Sequence, residues 1–112
     1  MKTKVGIDIA EVSRFKKVLK TSPDSFLKKV FSEKEIDYCL SFKQTAAVHF
    51  AGHYAAKEAV SKALGVSKYP FIEIEIRHDK KGAPLAYRNN KKLPISLSIS
   101  HTSDAAVAIA LG

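Results

Sequence analysis

Two carboxylates and one histidine stand where this sequence could do chemistry. Asp8 lies inside Val5-Gly6-Ile7-Asp8-Ile9, an apolar stretch that offers it no ion-pair partner nearby in sequence. Burying a carboxylate there is costly unless a cation or hydrogen-bond donors meet it. Asp8 therefore reads either as a strand-end residue capping the next helix or as a ligand for a hard cation. Magnesium takes one or two carboxylates and fills its remaining positions with water and substrate phosphate oxygens, and Glu58 is the natural second carboxylate. Glu58 also reads as one half of an i,i+4 pair with Lys62, worth only about 0.2–0.5 kcal/mol. His101 closes Ser98-Ile99-Ser100-His101 at the end of a strand, where a side chain is held firmly yet reaches solvent. It serves equally well as a structural residue. Lys57 and Lys62, near the Gly65-Val66-Ser67 turn, are candidates for holding phosphate, although helical lysines are commonly solvated and no P-loop is present. Cys39 has no histidine close in sequence and is a poor candidate nucleophile. His49, His53 and His78 show no metal-ligand spacing.

The elements that must position these groups follow from local pattern. Val5 to Ile9 reads as a short buried strand. From Glu11 to about Lys20, Val12, Phe15 and Leu19 recur at helical spacing; Ser22-Pro23-Asp24 breaks that helix, and a short helical piece follows around Phe26 to Val30. Ser32 and Glu35 form a capping box, with Phe31 and Ile36 as the accompanying staple, so a helix runs from about Glu33 to Phe42. The longest helix spans about Thr45 to Leu64 and stops at Gly65, a favoured C′ residue. At 100° per residue, Val48, Gly52, Ala55, Ala56, Ala59 and Ala63 share one arc, a stripe small enough to lie close on a sheet. Glu58 and Lys62 border it. The last third is β-rich. Ile72, Ile74 and Ile76 alternate with polar residues, Asp79-Lys80-Lys81-Gly82 turns into Pro84 to Tyr87, and Asn89-Asn90-Lys91-Lys92 makes another turn. Ile95, Leu97 and Ile99 alternate with serines, and Ala105 to Leu111 makes a final strand. Helices first and strands afterwards predict an α+β fold, the long helix packed on an antiparallel sheet.

A chain of 112 residues is sized for a single domain over its whole length, 1–112, with a modest core. Its 46% hydrophobic and 27% charged residues exclude extensive disorder. No apolar run approaches a membrane span of about 20 residues, and no secretory leader is evident at the N-terminus. A single cysteine excludes an internal disulfide or a cysteine-cluster zinc site. The expected location is cytoplasmic. The net charge of +8 suits a polyanionic partner. The excess gathers early: Lys2, Lys4, Arg14, Lys16, Lys17, Lys20, Lys28 and Lys29 face only Asp8, Glu11 and Asp24 within residues 1–30. Charge alone fits nucleic acid, an anionic membrane, an acidic protein or a phosphorylated small molecule. A basic nucleic-acid-binding module is the alternative reading, though the sequence has no RNP-type aromatic motif, GXXG loop or zinc knuckle.

Taken in order, the motifs narrow the choice. Gly6-Ile7-Asp8-Ile9 with Arg14, Phe31-Ser32-Glu33-Lys34-Glu35 with Tyr38-Cys39, Ala51 through Ala59 running to Lys62-Ala63-Leu64-Gly65, Gly82-Ala83-Pro84, and Ser98-Ile99-Ser100-His101 closely resemble the holo-acyl-carrier-protein synthases. These are small 4′-phosphopantetheinyl transferases of bacterial fatty acid biosynthesis. The resemblance spans essentially the whole chain, and the Asp8 and Lys57-Glu58 blocks are its most specific parts. It implies transfer of 4′-phosphopantetheine from coenzyme A to a serine of apo acyl carrier protein, releasing adenosine 3′,5′-bisphosphate. It further implies that Asp8 and Glu58 bind Mg2+ on the pyrophosphate, that Arg14 lies on the helix that docks the carrier protein, and that Lys62, Gly65 and His101 line the coenzyme A cleft.

Lys17, beside Arg14, joins the basic surface expected to steer an acidic carrier protein, and the serine hydroxyl's proton is expected to leave to Glu58, directly or through a metal-bound water. The family enzyme is usually a homotrimer with sites between subunits. The apolar faces expected to remain for such association are the alternate residues near Ile72–Ile76, Ile95–Ile99 and Val107–Leu111. Neither nucleic acid nor membrane is an expected partner under this resemblance. Two departures stand out. His53-Tyr54 replaces a frequent Arg-Phe, putting a titratable group where the family has a permanent cation, and Gly65-Val66-Ser67 replaces a frequent Gly-Thr-Gly.

Overall fold

The computed structural model describes residues 3–21, 23–66 and 71–112. Strand β1 (Val5–Glu11) leads directly into helix α1 (Val12–Thr21), followed by α2 (Pro23–Val30) and α3 (Glu33–Leu40). A 3-10 turn, Lys43–Thr45, precedes the long α4 (Ala46–Leu64). Another 3-10 turn, Phe71–Glu73, opens the β-rich part: β2 (Ile74–His78), β3 (Pro84–Arg88), β4 (Lys91–Lys92), β5 (Ser96–His101) and β6 (Ala105–Leu111). The α+β class is the expected one, but the strands form two three-stranded antiparallel sheets, ordered β1-β6-β5 and β2-β3-β4. Local alternation shows strands; it does not show that the N-terminal strand returns to pair with the C-terminal one.

The first sheet supplies the floor for α4. Gly6 pairs with Ala110, Asp8 with Ala108 and Ala10 with Ala106, and β5 continues these rows with Leu97, Ile99 and His101. Paired residues share a face, so this face is nearly all small next to the helix. The helix answers with Gly52, Ala55, Ala56, Ala59 and Ala63, all buried. Contact is so close that a Cβ on Gly6 would lie 1.9 Å from the carbonyl oxygen of Ala59. Only glycine fits there. At its other end α4 stops as expected at Gly65, whose φ of 72° is left-handed.

This packing reverses the expectation for β1. Val5, Ile7 and Ile9 are not buried; they are 57%, 57% and 69% exposed, because the face toward α4 has room only for Gly6, Asp8 and Ala10. Ile109 and Leu111 on β6 extend the same outward apolar face, whereas the β5 rows end it with Ser96, Ser98 and Ser100. Of the other apolar positions expected to be left over, Ile74, Ile76 and Ile95 are buried in the core and only Ile72 is exposed. The strand expected from Ile72 starts at Ile74, after the 3-10 turn.

Aromatic rings close the other side of α4. Phe15 of α1 sits 5.5 Å from Tyr54, 6.1 Å from Phe26 and 6.2 Å from Phe31. Helix α3 begins with the expected capping box: the Ser32 amide donates to Glu35 Oε1 at 2.9 Å and the Glu35 amide to Ser32 Oγ at 3.2 Å. It ends at Leu40, two residues short of the expected Phe42. The break expected at Ser22 falls partly outside the described residues; Pro23 opens α2, where its missing N–H costs nothing.

Candidate functional site

Asp8 and Glu58 come close enough to feel each other's charge because β1 and the second half of α4 lie in direct contact. Asp8 points from the helix-facing row of β1 and keeps 19% of its side chain exposed. Lys62 crosses from α4, donating to the Ile7 carbonyl at 3.0 Å and approaching Asp8 Oδ1 at 3.4 Å. Lys62 thus bonds to the β1 residues Ile7 and Asp8, and its side chain is 54% exposed at the edge of the carboxylate pair. Burial pushes the Glu58 carboxyl above its ordinary value, and the Asp8 charge adds to that rise, while Lys62 and Arg14 pull it back. A negative charge of this kind beside a carboxylate also favours a cation shared between the two.

Arg14 stands on α1 within reach of this site. Its guanidinium lies 4.9 Å from the centre of the Tyr54 ring and 5.5 Å from that of Phe26. The rings thus hold the guanidinium of a residue that remains exposed. Lys17, also on α1, is exposed. Gly65 caps α4 one residue beyond Leu64 and three beyond Lys62.

The carboxylate pair passes the test for magnesium. Its donors are hard oxygens, and they lie near enough for the Asp8 charge to act on the Glu58 carboxyl. Among the described residues no group of three or more His, Cys, Asp or Glu gathers as a metal cage. The protein would therefore supply at most two ligands, the pattern of an ion that completes its shell with water and phosphate oxygens.

Lys57 is not a phosphate ligand. It is fully buried and ion-paired to Glu35, itself buried. Burial alone would drive the lysine to its neutral form, and Glu35 opposes that. Glu35 is also more than a cap: it accepts from Ser32, Lys57, His53 Nδ1 at 3.1 Å and the Ile76 amide at 3.3 Å, and His53 and Lys57 hold its carboxyl below the ordinary value despite burial. Cys39 is buried, and its thiol is pushed far up by that burial, in keeping with an inert residue.

All four histidines converge, which no spacing announced. His49, His53, His78 and His101 line one cavity of about 190 Å³, with Tyr38 and Pro84 among its other walls. The His49 and His101 rings are 6.0 Å apart, and Tyr38 stacks on His78 at 4.2 Å. Burial and the neighbouring imidazoles hold His49 below its ordinary value. The sequence did carry one signal. His53 and Lys57 sit one turn apart beside the small-residue stripe, so both had to be buried and to find a carboxylate. The cavity is too small for a large ligand and suits part of one.

His101 belongs to this cavity and shares its row across the sheet with Ala106 and Ala10, two residues along β1 from Asp8. Carboxylate site and histidine cavity are therefore served by the same face of one sheet.

Comparison with known proteins finds relatives over nearly the whole chain. Residues 4–111 match the 4′-phosphopantetheinyl transferase superfamily. A holo-(acyl-carrier-protein) synthase of Caldicellulosiruptor saccharolyticus is 44% identical, the match covering 96% of this chain and 93% of that protein. The corresponding synthase of a Thermoanaerobacter species is 42% identical over 96% of this chain and 86% of its own. Among solved structures, a Bacillus anthracis holo-(acyl-carrier-protein) synthase in complex with CoA (3′,5′-ADP) superposes with a TM-score of 0.81 at 35% identity, covering 96% of this chain and 93% of that one. The Helicobacter pylori synthase in complex with coenzyme A gives 0.80 at 32% identity, covering 96% and 99%.

Proposed function

Because the chain belongs to the 4′-phosphopantetheinyl transferase superfamily, we propose that it is a holo-(acyl-carrier-protein) synthase that moves 4′-phosphopantetheine from coenzyme A to a serine of apo acyl carrier protein. The observation that carries this reading is the meeting of Asp8 and Glu58 beside Lys62 and Arg14, within a chain matched over nearly its whole length by such synthases. The serine oxygen forms a bond to the phosphorus that bears pantetheine. The bond from that phosphorus to the bridging oxygen breaks, and adenosine 3′,5′-bisphosphate leaves with the electron pair.

Such a transfer needs positioning and charge neutralisation more than covalent help from the protein. Asp8 and Glu58 would hold Mg2+, which supplies neutralisation of the pyrophosphate when bound. Lys62 offers a further positive charge at the edge of the same site. Glu58 takes the serine proton, directly or through a water. Coenzyme A extends from this site toward His101 and the histidine cavity; Gly65, past Lys62 at the opposite end of α4, lies off that path. Arg14 and Lys17 face an acidic carrier protein, giving the basic first helix a protein partner rather than a nucleic acid.

The outward face of Val5, Ile7, Ile9, Ile109 and Leu111 supports self-association, and we assign it to a homotrimer. Large contiguous apolar surface on a small protein marks an interface. The reading places the enzyme in the cytoplasm, in fatty acid biosynthesis. Among the described residues, no helix is long and apolar enough to cross a membrane.

Incubation with coenzyme A, Mg2+ and apo acyl carrier protein tests the reaction. The carrier protein should gain the mass of one 4′-phosphopantetheine on its serine. An unchanged mass, with demonstrably competent carrier protein, overturns the reading.

A further inference from the structure

The chain of contacts that begins at Glu35 fixes how many protons two buried histidines must share. Glu35 Oε1 accepts from the Ser32 amide and Lys57, and Oε2 accepts from the Ile76 amide and His53 Nδ1. With the Ser32 and Ile76 amides and Lys57 all donating to its two oxygens, the carboxylate is ionised and can only accept. His53 Nδ1 must therefore carry a hydrogen. At the far end, His78 Nδ1 lies 3.2 Å from the Gly82 carbonyl, another obligatory acceptor, so it must carry a hydrogen as well. Between them, His53 Nε2 and His78 Nε2 are 2.9 Å apart, and a contact that short between two nitrogens needs one hydrogen. Three hydrogens are required, and two neutral imidazoles supply only two.

We infer that His53 and His78 form a singly charged imidazolium–imidazole clasp, which pins the β2–β3 turn against α3 and α4 while the extra proton is held and lets it go when that proton is lost. The charge has company from every side. Helix α3 contributes anionic Glu35 and the face of Tyr38, stacked within 4.2 Å of His78 and 5.3 Å of His53. Helix α4 contributes His49 and Lys57, with Lys57 neutralising part of the Glu35 charge. Strand β2 brings Glu75 and, just beyond its end, Asp79, while β5 brings His101. The extra proton lies at the His53 end, next to the Glu35 carboxylate; burial and the charge on His53 hold His78 below its ordinary value, against the opposite pull of the Gly82 carbonyl, Asp79 and Glu35.

The clasp reaches function through the turn. His78 grips the carbonyl of Gly82, and Gly82 and Pro84 form one wall of the histidine cavity. The Asp79 carboxylate organises the same turn by accepting from the Lys81 and Ala83 amides at 2.8 and 2.9 Å. Loss of the shared proton leaves two lone pairs facing each other across the 2.9 Å gap, and the wall is freed. His53 and His78 are thus positioning residues. The proton count is independent of the proposed activity; the consequence for coenzyme A rests on it.

Nitrogen-detected NMR of the histidine rings in the wild-type protein tests the count. At pH 7 the two rings should show three protonated nitrogens, with His53 protonated at both. Two neutral rings with one N–H each overturn the proposal. On raising the pH to 9.5, the Gly82 and Ala83 amide shifts should move with the same midpoint as the ring signals, and coenzyme A affinity should fall at least threefold through it. In His78→Gln, which leaves His49 and His101 in place, that fall should flatten. Amide shifts and affinity that ignore the ring midpoint overturn the positioning role. Three protonated nitrogens and a coupled turn in a protein that binds no coenzyme A support the clasp and count against the enzymatic reading instead.

Discussion

Gly6→Ala is the sharpest probe of how the fold brings the two carboxylates together. The added Cβ would stand 1.9 Å from the Ala59 carbonyl oxygen and 2.8 Å from the Ala63 amide nitrogen, both backbone atoms that cannot swing aside. Ordinary contact is about 3.5 Å, so α4 must withdraw from β1 by roughly 1 Å or more. Overpacking of this kind costs about 1–3 kcal/mol, and a backbone obstacle puts this site at the upper end or beyond. At about 4–8 °C per kcal/mol for a chain near this size, the melting midpoint should drop by roughly 10–20 °C. Gly52→Ala is the matched control on the same helix. Its Cβ would meet only Ile99 Cγ2, at 3.2 Å, a methyl group that can give way. Replacing a helical glycine also recovers up to about 1 kcal/mol of propensity. Thermal unfolding followed by circular dichroism reads both. Gly6→Ala should melt far below wild type and Gly52→Ala close to it. A Gly6→Ala protein that melts within about 2 °C of wild type, or above Gly52→Ala, contradicts the packing described. The withdrawal also parts Glu58 from Asp8, so the folded fraction of Gly6→Ala should transfer phosphopantetheine poorly.

Four further outcomes follow from the same contacts. Lys57→Met strands a buried carboxylate, and urea unfolding should show a loss of about 3–5 kcal/mol; a loss under 1 kcal/mol would mean that Lys57 is not the main cation for Glu35. The Glu35 carboxyl titrates below its unfolded value, so its contribution is full above the ordinary pH of about 4.5 and is lost as pH falls through the lower folded value. Urea midpoints between pH 6 and 2.5 should therefore fall less steeply in Glu35→Gln than in wild type, and parallel slopes would refute this. Ile7→Glu places a charge on the outward sheet face, and sedimentation should show a monomer near 12.3 kDa where wild type should run as the proposed trimer; an unaltered assembly would move the interface elsewhere. Reversing Arg14 and Lys17 to Glu should raise the KM for carrier protein while sparing coenzyme A affinity, and equal losses would point to a damaged fold.

What could be read from the residues alone was what depends on neighbours in sequence. Ser32 and Glu35 announced a helix start, Gly65 announced a helix end, and the alternation from Ile95 to Ser100 announced a strand. The small-residue stripe of α4 told correctly that a helix would lie close on a sheet. It did not tell that the sheet would answer with its own small residues. That pairing turned Val5, Ile7 and Ile9 outward, against the ordinary rule that β-branched strand residues go inside. Long-range encounters were equally silent. Glu35 looked like a cap alone, because its three other partners come from α4 and β2, 18 to 41 residues away. Lys57 looked like a solvated lysine for the same reason. Asp8 and Glu58 were paired by resemblance and by the cost of burying a lone carboxylate; what brings them together is Gly6, whose missing side chain admits the helix.

The central claim is that Asp8 and Glu58 act as one cation-binding pair in phosphopantetheine transfer. The most direct measurement is the rate of transfer against Mg2+ concentration for wild type, Asp8→Asn and Glu58→Gln, each with circular dichroism matching the native fold. Wild type should show saturable dependence on Mg2+. Each variant should lose at least a hundredfold in rate even at saturating Mg2+, about 2.7 kcal/mol of transition-state stabilisation. Either variant turning over within threefold of wild type would contradict the claim.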